Sequence, residues 1–169
     1  TRRSSDLVSE GGREGFIDTD GNYVIKLTDK VDYASFSDGY ALIRKGNKWG
    51  FIDKKGNIVI KPAFYGAADF KEGFASIMEK VGDKYLSGYI NKKGKMITKA
   101  IYEEVDDFQE GMACVKKNGK YGFINKKGKL VVNAIYDNAF SYENGLAYVA
   151  KGSNAYFIDK TGKKVITIK

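Results

Sequence analysis

Eleven lysines lie in short turns that recur along the chain, and their spacing predicts a surface able to bind anions. Each turn begins with Asp or Asn, continues with basic residues and contains Gly, as in Asp53-Lys54-Lys55-Gly56. Equivalent positions of stacked repeats line up, so the turns would form a basic edge able to follow nucleic acid, teichoic acid or a sulfated glycan. The candidate residues are Lys54, Lys55, Lys92, Lys93, Lys95, Lys126, Lys127, Lys129, Lys160, Lys163 and Lys164.

A simpler interpretation of these lysines is that Lys and Gly are soluble turn residues that discourage aggregation. The connectors between repeats carry net negative charge, so we expect a separate acidic edge opposite the basic one. Arginine, which usually provides bidentate recognition of phosphates and bases, is scarce. Sequence-specific binding of nucleic acid is therefore not expected.

The acidic connectors raise the question of carboxylate catalysis. The most acidic connector contains Glu103, Glu104, Asp106, Asp107 and Glu110. The chain has no histidine, which removes the usual general base, the Ser–His and Cys–His nucleophiles and histidine metal sites. A glycosidase needs only two carboxylates, so a carboxylate-based hydrolase remains the less favoured alternative. We predict a non-enzyme with no catalytic residue, metal site or cofactor.

Aromatic and sulfur-containing side chains offer few further sites. Trp49 and Tyr121 occupy the same position in two copies of the repeat and are the candidate aromatic contacts for a ligand. The alternative for Trp49 is a core position between neighbouring repeats. Cys114, the single cysteine, lies in a predicted strand, so we expect a buried and inert thiol.

These residues are positioned by an internal repeat. The phrase Gly-aromatic-Ile-Asp/Asn-x-x-Gly occurs four times, and a fifth copy has Tyr156 in place of the first glycine. Its second glycine recurs at intervals of 35, 38, 34 and 34 residues. In three copies an alanine precedes the phrase by nine residues, and applying that spacing backwards from Gly15 gives a degenerate first copy at the N-terminus. We predict a single repeat domain, 1–169, with units that start near residues 4, 39, 73, 111 and 145.

Each unit contains three short strand candidates, such as Ala41 to Arg44, Trp49 to Asp53 and Ile58 to Lys61. Adjacent apolar residues such as Phe51 and Ile52 must point to opposite faces, so the second strand is expected between neighbouring units. The connector is predicted as a helical turn or an irregular crossing piece. The fold class is therefore all-β, with five units of about three antiparallel strands in a solenoid-like array; a five-bladed β-propeller is the alternative.

Residues 48–62, Lys-Trp-Gly-Phe-Ile-Asp-Lys-Lys-Gly-Asn-Ile-Val-Ile-Lys-Pro, resemble the bacterial WG repeat, also called the KWG repeat. The resemblance covers nearly the whole chain, although the Trp-Gly pair is intact only at Trp49-Gly50. It implies a β-rich array found in bacterial proteins, often secreted or envelope-associated, with a scaffold or binding role. It supplies no catalytic residues.

The function expected from these observations is a non-enzymatic scaffold that mediates protein–protein interaction or binds an extended ligand. A protein partner is expected first, and an anionic polymer is the alternative. The apolar runs are too short to span a bilayer, so no transmembrane segment is predicted. A secreted or cell-envelope location is favoured over a cytoplasmic one.

Overall fold

The computed structural model describes residues 6–10, 13–17, 20, 23–27, 32–33 and 36–168. These residues form strands, turns and irregular segments, and none of them is helical, which confirms the all-β class. Among them there is accordingly no helix that could cross a membrane. The chain groups into two compact units, Thr1–Phe70 and Lys71–Lys169. The predicted start near residue 4 lies outside the described residues, and a single continuous domain stays a prediction.

The first unit contains two antiparallel sheets. The predicted degenerate copy forms a sheet of three strands, β1-β2-β3, and the next copy forms a sheet in the order β4-β5-β6-β7. The strands of this unit are β1 (Asp6–Glu10), β2 (Arg13–Ile17), β3 (Tyr23–Leu27), β4 (Asp32–Tyr33), β5 (Tyr40–Lys45), β6 (Lys48–Asp53), β7 (Ile58–Phe64) and β8 (Gly66–Ala67).

The second unit continues the same pattern. Its strands are β9 (Phe74–Val81), β10 (Lys84–Asn91), β11 (Met96–Tyr102), β12 (Glu104–Val105), β13 (Met112–Lys117), β14 (Lys120–Asn125), β15 (Leu130–Tyr136), β16 (Asn138–Ala139), β17 (Ala147–Lys151), β18 (Asn154–Ile158) and β19 (Lys164–Ile168). Strands β9, β10 and β11 pair in that order, and two further sheets have the orders β12-β13-β14-β15 and β16-β17-β18-β19. All pairings are antiparallel.

The connectors form short strands where the sequence predicted a helical turn or an irregular crossing. Glu104 and Val105 pair with Lys116 and Val115, and Asn138–Ala139 pair with β17 in the same way. The predicted core of three antiparallel strands is confirmed, and the connector adds a fourth strand of two residues. A sheet of four strands is also what a propeller blade contains, so strand number does not separate the two predicted architectures.

The predicted turns between the second and third strands are confirmed in detail. The Asn125 carbonyl accepts a hydrogen bond from the Gly128 N–H at 2.8 Å, and Gly128 has a φ of 74°. The Asn125 side-chain oxygen accepts hydrogen bonds from the N–H groups of Lys127 and Lys129 at 3.0 and 3.1 Å. This is an Asx-stabilised type I turn with a left-handed glycine. Equivalent turns follow β6, β10 and β18.

The first glycine of the repeated phrase lies against a bulge in the third strand. At Gly122 the β14–β15 register shifts, because residues 133–135 lie between the partners of Tyr121 and Phe123. A Cβ atom on Gly122 would lie 2.5 Å from the Val132 carbonyl oxygen, closer than any side chain allows. In the last repeat Tyr156 replaces this glycine, and its pairing with Thr167 is regular.

The core lies between successive sheets because each sheet is apolar on both faces. In the β12–β15 sheet, Val115 and Ile124 belong to a buried cluster that contains Tyr89 and Phe108. The adjacent Phe123 points the other way and belongs to a cluster with residues of β17 and β18. The prediction that the second strand is buried between neighbours is therefore confirmed in this unit.

A ring contact between successive repeats recurs in the same form. An aromatic residue of the following connector packs edge-on against the aromatic of the glycine phrase, nineteen residues earlier. The centroid distances are 4.7 Å for Phe51–Phe70, 5.1 Å for Tyr89–Phe108 and 4.9 Å for Phe123–Tyr142. Each such pair contributes about 0.5–1.5 kcal/mol beyond the burial of its area.

We expect Gly122→Ala to lower the free energy of unfolding by about 1–3 kcal/mol, because the new methyl group overlaps the backbone of β15. Urea unfolding monitored by tyrosine and tryptophan fluorescence measures the change. Lys117→Ala, at an exposed site in the same sheet, is the control and should alter stability by no more than about 0.5 kcal/mol. An equally small effect of Gly122→Ala would contradict this account of the glycine.

Candidate functional site

The structure places the candidate lysines at or directly after the turns between second and third strands. Lys92 and Lys160 are half-buried, and the other nine are exposed. These turns lie at the end of each sheet where the second strand finishes, opposite the hairpin that joins the first and second strands. The lysines of equivalent turns therefore share one end of their sheets.

Two of these lysines are held by glutamates of the preceding repeat. The Glu72 carboxylate accepts a hydrogen bond from the Gly111 N–H at 2.9 Å and lies 3.1 Å from the Lys126 Nζ. One repeat later, Glu110 accepts from the Gly145 N–H at 2.9 Å and lies 3.2 Å from the Lys160 Nζ. Each glutamate thus joins its own repeat to the next.

This pairing corrects the expectation of separate acidic and basic edges. Glu72 and Glu110 belong to connectors, yet both lie beside lysine turns. The reason is the strand register: Met112 pairs with Asn125, which brings the end of the connector to the same end of the sheet as the turn. The acidic and basic groups therefore alternate there, and Lys126 and Lys160 are partly neutralised.

Four other turn lysines show no such neutralisation in the part of the chain that the structure describes. Among the described residues, Lys93, Lys95, Lys127 and Lys129 are exposed and their ammonium groups make no ion pair. They occupy matching positions in the β10–β11 and β14–β15 turns. The part of the predicted basic edge that is available to an anion in these two turns is consequently this group of four.

The candidate aromatic contacts lie away from the lysines. Trp49 pairs with Arg44 near the hairpin end of β6 and is partly buried. Tyr121 is also partly buried, and its hydroxyl donates a hydrogen bond to Glu104 at 2.7 Å. The structure does not bring Trp49 or Tyr121 together with the basic turn of its own sheet.

The acidic connector is divided between the two ends of β13. Near the hairpin, Glu103 accepts from the Gly119 N–H at 2.9 Å, and Glu104 accepts from Lys116 at 2.6 Å. The hydrogen bonds from Lys116 and then Tyr121 hold the pKa of Glu104 below its usual value. At the other end Glu110 holds the next repeat, whereas burial raises the pKa of Asp106. These contacts give Glu103, Glu104 and Glu110 structural roles.

The structure describes the single cysteine and most of the carboxylates that could act as metal ligands. Cys114 is buried, and burial raises the pKa of its thiol to about 12, so the reactive thiolate is scarce near neutral pH. Within the described ranges, no group of three or more Cys, Asp or Glu side chains is placed to hold a metal ion.

An apolar groove of about 510 Å³, which the sequence did not predict, lies on the last described sheet. Ala147, Val149 and Ile158 face the β12–β15 sheet, so the alternate side chains of β17 and β18 point to the opposite face. Rings and aliphatic groups on that face line the groove, with Ser141, Glu143 and Asn144 at its polar positions. The apolar members are Phe140, Leu146, Tyr148, Phe157 and Ile166. One residue in the sequence could have indicated this groove: Tyr148 occupies the position that Cys114 has in the preceding repeat.

Comparison with known families decides the type of repeat. The model of the WG containing repeat matches four tandem segments, 15–49, 49–85, 88–121 and 121–154, which together cover most of the chain. The chain belongs to the WG-repeat family. The WG-repeat family is a repeat-type binding module and not a known enzyme family.

No curated protein sequence gives a significant match to this WG-repeat chain. A solved structure described as the crystal structure of the eukaryotic initiation factor superposes with a TM-score of 0.58 at 12% identity. The match covers 98% of this chain and 54% of that one, so the WG-repeat chain spans about half the length of that protein. This likeness concerns the fold alone.

Of the two residues that give the WG repeat its name, the glycine has a structural role in the sheet and the tryptophan position varies. In the three copies with a bulge, Gly50, Gly88 and Gly122 lie against the backbone of the third strand. The tryptophan position is partly exposed in Trp49 and in its counterpart Tyr121, and the residue type varies between copies. The glycine is therefore the structural requirement in these WG repeats.

We expect Glu110→Gln to reduce stability at neutral pH but to have little effect in acid. The Gly145 N–H, and then Lys160, lower the pKa of Glu110 in the folded WG-repeat chain. The unfolded chain therefore takes up the proton first as the pH falls, so the stabilisation is present at pH 7 and is lost below the usual glutamate range of about 4.3.

Urea unfolding midpoints at pH 7 and pH 3 provide the measurement. The wild type should exceed Glu110→Gln at pH 7, and the two should converge at pH 3. Glu143→Gln, at an exposed glutamate of the following turn, controls for loss of one negative charge. An equal gap between wild type and Glu110→Gln at both pH values would show that the charge of Glu110 does not hold the repeats together.

Proposed function

We propose that this WG-repeat chain is a non-enzymatic scaffold that binds a protein partner in the apolar groove of the β16-β17-β18-β19 sheet. The observation that carries the proposal is the exposure of large apolar side chains in that groove. Phe140 is 60% exposed and Ile166 is 49% exposed, beside the rings of Tyr148 and Phe157. Exposed apolar patches with polar rims are typical of protein-binding surfaces.

The repeat itself indicates what this groove would accept. Phe157 occupies the position of Tyr89 and Phe123, whose rings are each covered by an aromatic side chain of the following connector. In the described structure, Tyr148 makes an edge-on contact with Phe157 at 6.0 Å, and Phe140 stacks on Tyr148 at 5.4 Å. The groove therefore extends an aromatic surface to which an incoming aromatic ring can add. The partner we propose is a polypeptide segment that presents such a ring.

The test uses a peptide with the sequence of residues 138–147, which contains Tyr142, the residue that covers Phe123. We expect this peptide to shift the backbone amide NMR signals of Tyr148, Phe157 and Ile166 in the full chain. A peptide carrying Tyr142→Ala is the matched ligand control, and Phe140→Ser in the protein should weaken binding by about tenfold because Phe140 lines the groove.

Equal binding of the two peptides would refute aromatic recognition. Shifts confined to Cys114 and Phe123 would mean that the peptide displaces the chain's own connector, which would also contradict the groove proposal. The exposure of Phe140 makes Phe140→Ser a change that the fold should tolerate.

A second candidate function is binding of an anionic polymer, and four of the exposed turn lysines favour it. Lys93, Lys95, Lys127 and Lys129 lie on two successive repeats at the same end of their sheets. The pairing of Lys126 and Lys160 with glutamates limits the basic surface to fewer residues than the sequence analysis named. Binding through these residues would be electrostatic and sensitive to salt.

Heparin is the probe for this second function, with affinity measured from about 50 to 200 mM salt. Replacing Lys127 and Lys129 together by Gln should reduce the slope of log affinity against log salt by about two. The control replaces Lys80 and Lys84, two exposed lysines at the hairpin end of β9 and β10, by Gln. An equal loss of affinity in both double variants would show that heparin responds to net charge and not to the turn lysines, which would contradict this second function.

A further inference from the structure

A polar pocket of about 390 Å³ opens between the last two sheets, on the side opposite the apolar groove. One lining residue, Tyr136, ends strand β15, and the others belong to the β17–β18 hairpin, β18 and the region that leads into β19. The lining residues are Tyr136, Lys151, Asn154, Tyr156, Gly162 and Lys164. All of them lie in the second compact unit.

The pocket occurs where the last repeat departs from the repeat pattern. Tyr156 replaces the glycine found at Gly122, and Lys164 replaces the apolar residue found at Leu130. Leu130 packs against the buried cluster of the preceding interface, whereas Lys164 is exposed. The apolar contact that Leu130 makes between sheets is therefore replaced, one repeat later, by an opening lined by the Tyr156 phenol and the Lys164 ammonium group.

The lining combines cationic, hydrogen-bonding and aromatic groups. The Lys164 Nζ lies 4.6 Å from the centroid of the Tyr156 ring, and the Tyr136 ring stands edge-on to Tyr156 at 6.2 Å. Lys151 and Asn154 are cross-strand partners in the β17–β18 hairpin. Their ammonium and amide groups therefore lie next to each other at the hairpin end of the pocket.

One acidic side chain near the pocket offsets part of this positive charge. Asp137 lies within electrostatic range of Lys151, and its carboxylate is also hydrogen-bonded to Lys120 and to the Gly152 N–H. Lys120, and then Gly152, hold the pKa of Asp137 below its usual value, so this carboxylate stays ionised. Neither Lys151 nor Lys164 forms an ion pair within the described residues, so both can still pair with an anion.

We propose that this pocket binds a ring-shaped molecule that carries a phosphate or sulfate group, of about the size of one sugar residue. The oxyanion pairs with Lys151 and Lys164, the Asn154 amide and the phenol hydroxyls bind ring oxygens, and the ring packs beside Tyr156. The volume lies within the range of small-molecule sites, which is about 300–1,000 Å³. The same chemistry fits a free sugar phosphate and one unit of a sulfated glycan.

This site is separate from the surfaces of the two functions proposed above. None of its residues lines the apolar groove, and none belongs to the group of Lys93, Lys95, Lys127 and Lys129. A failure of the peptide or of the lysine-turn proposal therefore leaves the pocket proposal standing, and its own test must locate the ligand.

The experiment titrates the full chain with glucose 6-phosphate, with glucose and with a heparin tetrasaccharide, each followed by amide NMR shifts. We expect glucose 6-phosphate to give saturable shifts at Asn154, Tyr156 and Gly162, and glucose to give none. Lys164→Leu, which restores the residue type of the preceding repeat, should weaken binding by about tenfold or more. Lys163→Leu is the matched control, because the adjacent Lys163 does not line the pocket.

Competition identifies the source of the oxyanion. If the tetrasaccharide displaces glucose 6-phosphate from the same amides, the site accepts a unit of a sulfated glycan as well as a free sugar phosphate, and the proposal is supported. The proposal is overturned by an absence of saturable shifts, by shifts at Gly94 and Gly128 alone, or by equal losses in the two lysine variants. A folded spectrum of Lys164→Leu, expected at this exposed site, makes its loss of binding interpretable.

Discussion

The packing of this protein depends on one constraint, which is that the second strand of a repeat carries apolar side chains on both faces. Phe123 and Ile124 are adjacent and fully buried, so their sheet needs a neighbour on each side. The edge-on contact of Tyr142, from the following connector, covers Phe123 on one of these faces. On the other face the turn glycine Gly128 lets the preceding sheet approach closely, because a Cβ atom there would overlap the Ile97 carbonyl group of β11.

Features determined by residues close in sequence could be predicted, and features determined by register could not. The turn at Asn125 needs only a side-chain acceptor at its first position and a glycine at its fourth, so its hydrogen bonds followed from the sequence. The two-residue strand at Glu104–Val105 forms because β13, whose paired residues Lys116 and Val115 come later in the chain, lies within hydrogen-bonding distance, and its composition gives no strand signal. Register likewise places Glu110 beside a lysine turn, which charge counting along the chain assigned to a separate edge.

Candidate sites were predicted least well where the repeat changes. The alignment identified Tyr156 as an imperfect copy of a glycine, but the consequence depends on the regular pairing of Tyr156 with Thr167 and on the neighbouring sheet. The same holds for Phe140 and Tyr148, which look like ordinary aromatics in a sequence with many of them. In a repeat protein, common residues maintain the stack, so binding chemistry is better sought at positions where one copy differs from the others.

The glutamate contacts between repeats have a direction. Glu72 and Glu110 each reach from one repeat to a glycine and a lysine of the next, and the ring contact also runs from a connector back to the preceding sheet. A surface with such polarity is not self-complementary. If two molecules associated through contacts of this kind, they would join head to tail, a heterologous arrangement that ends in rings or open fibres and not in twofold dimers.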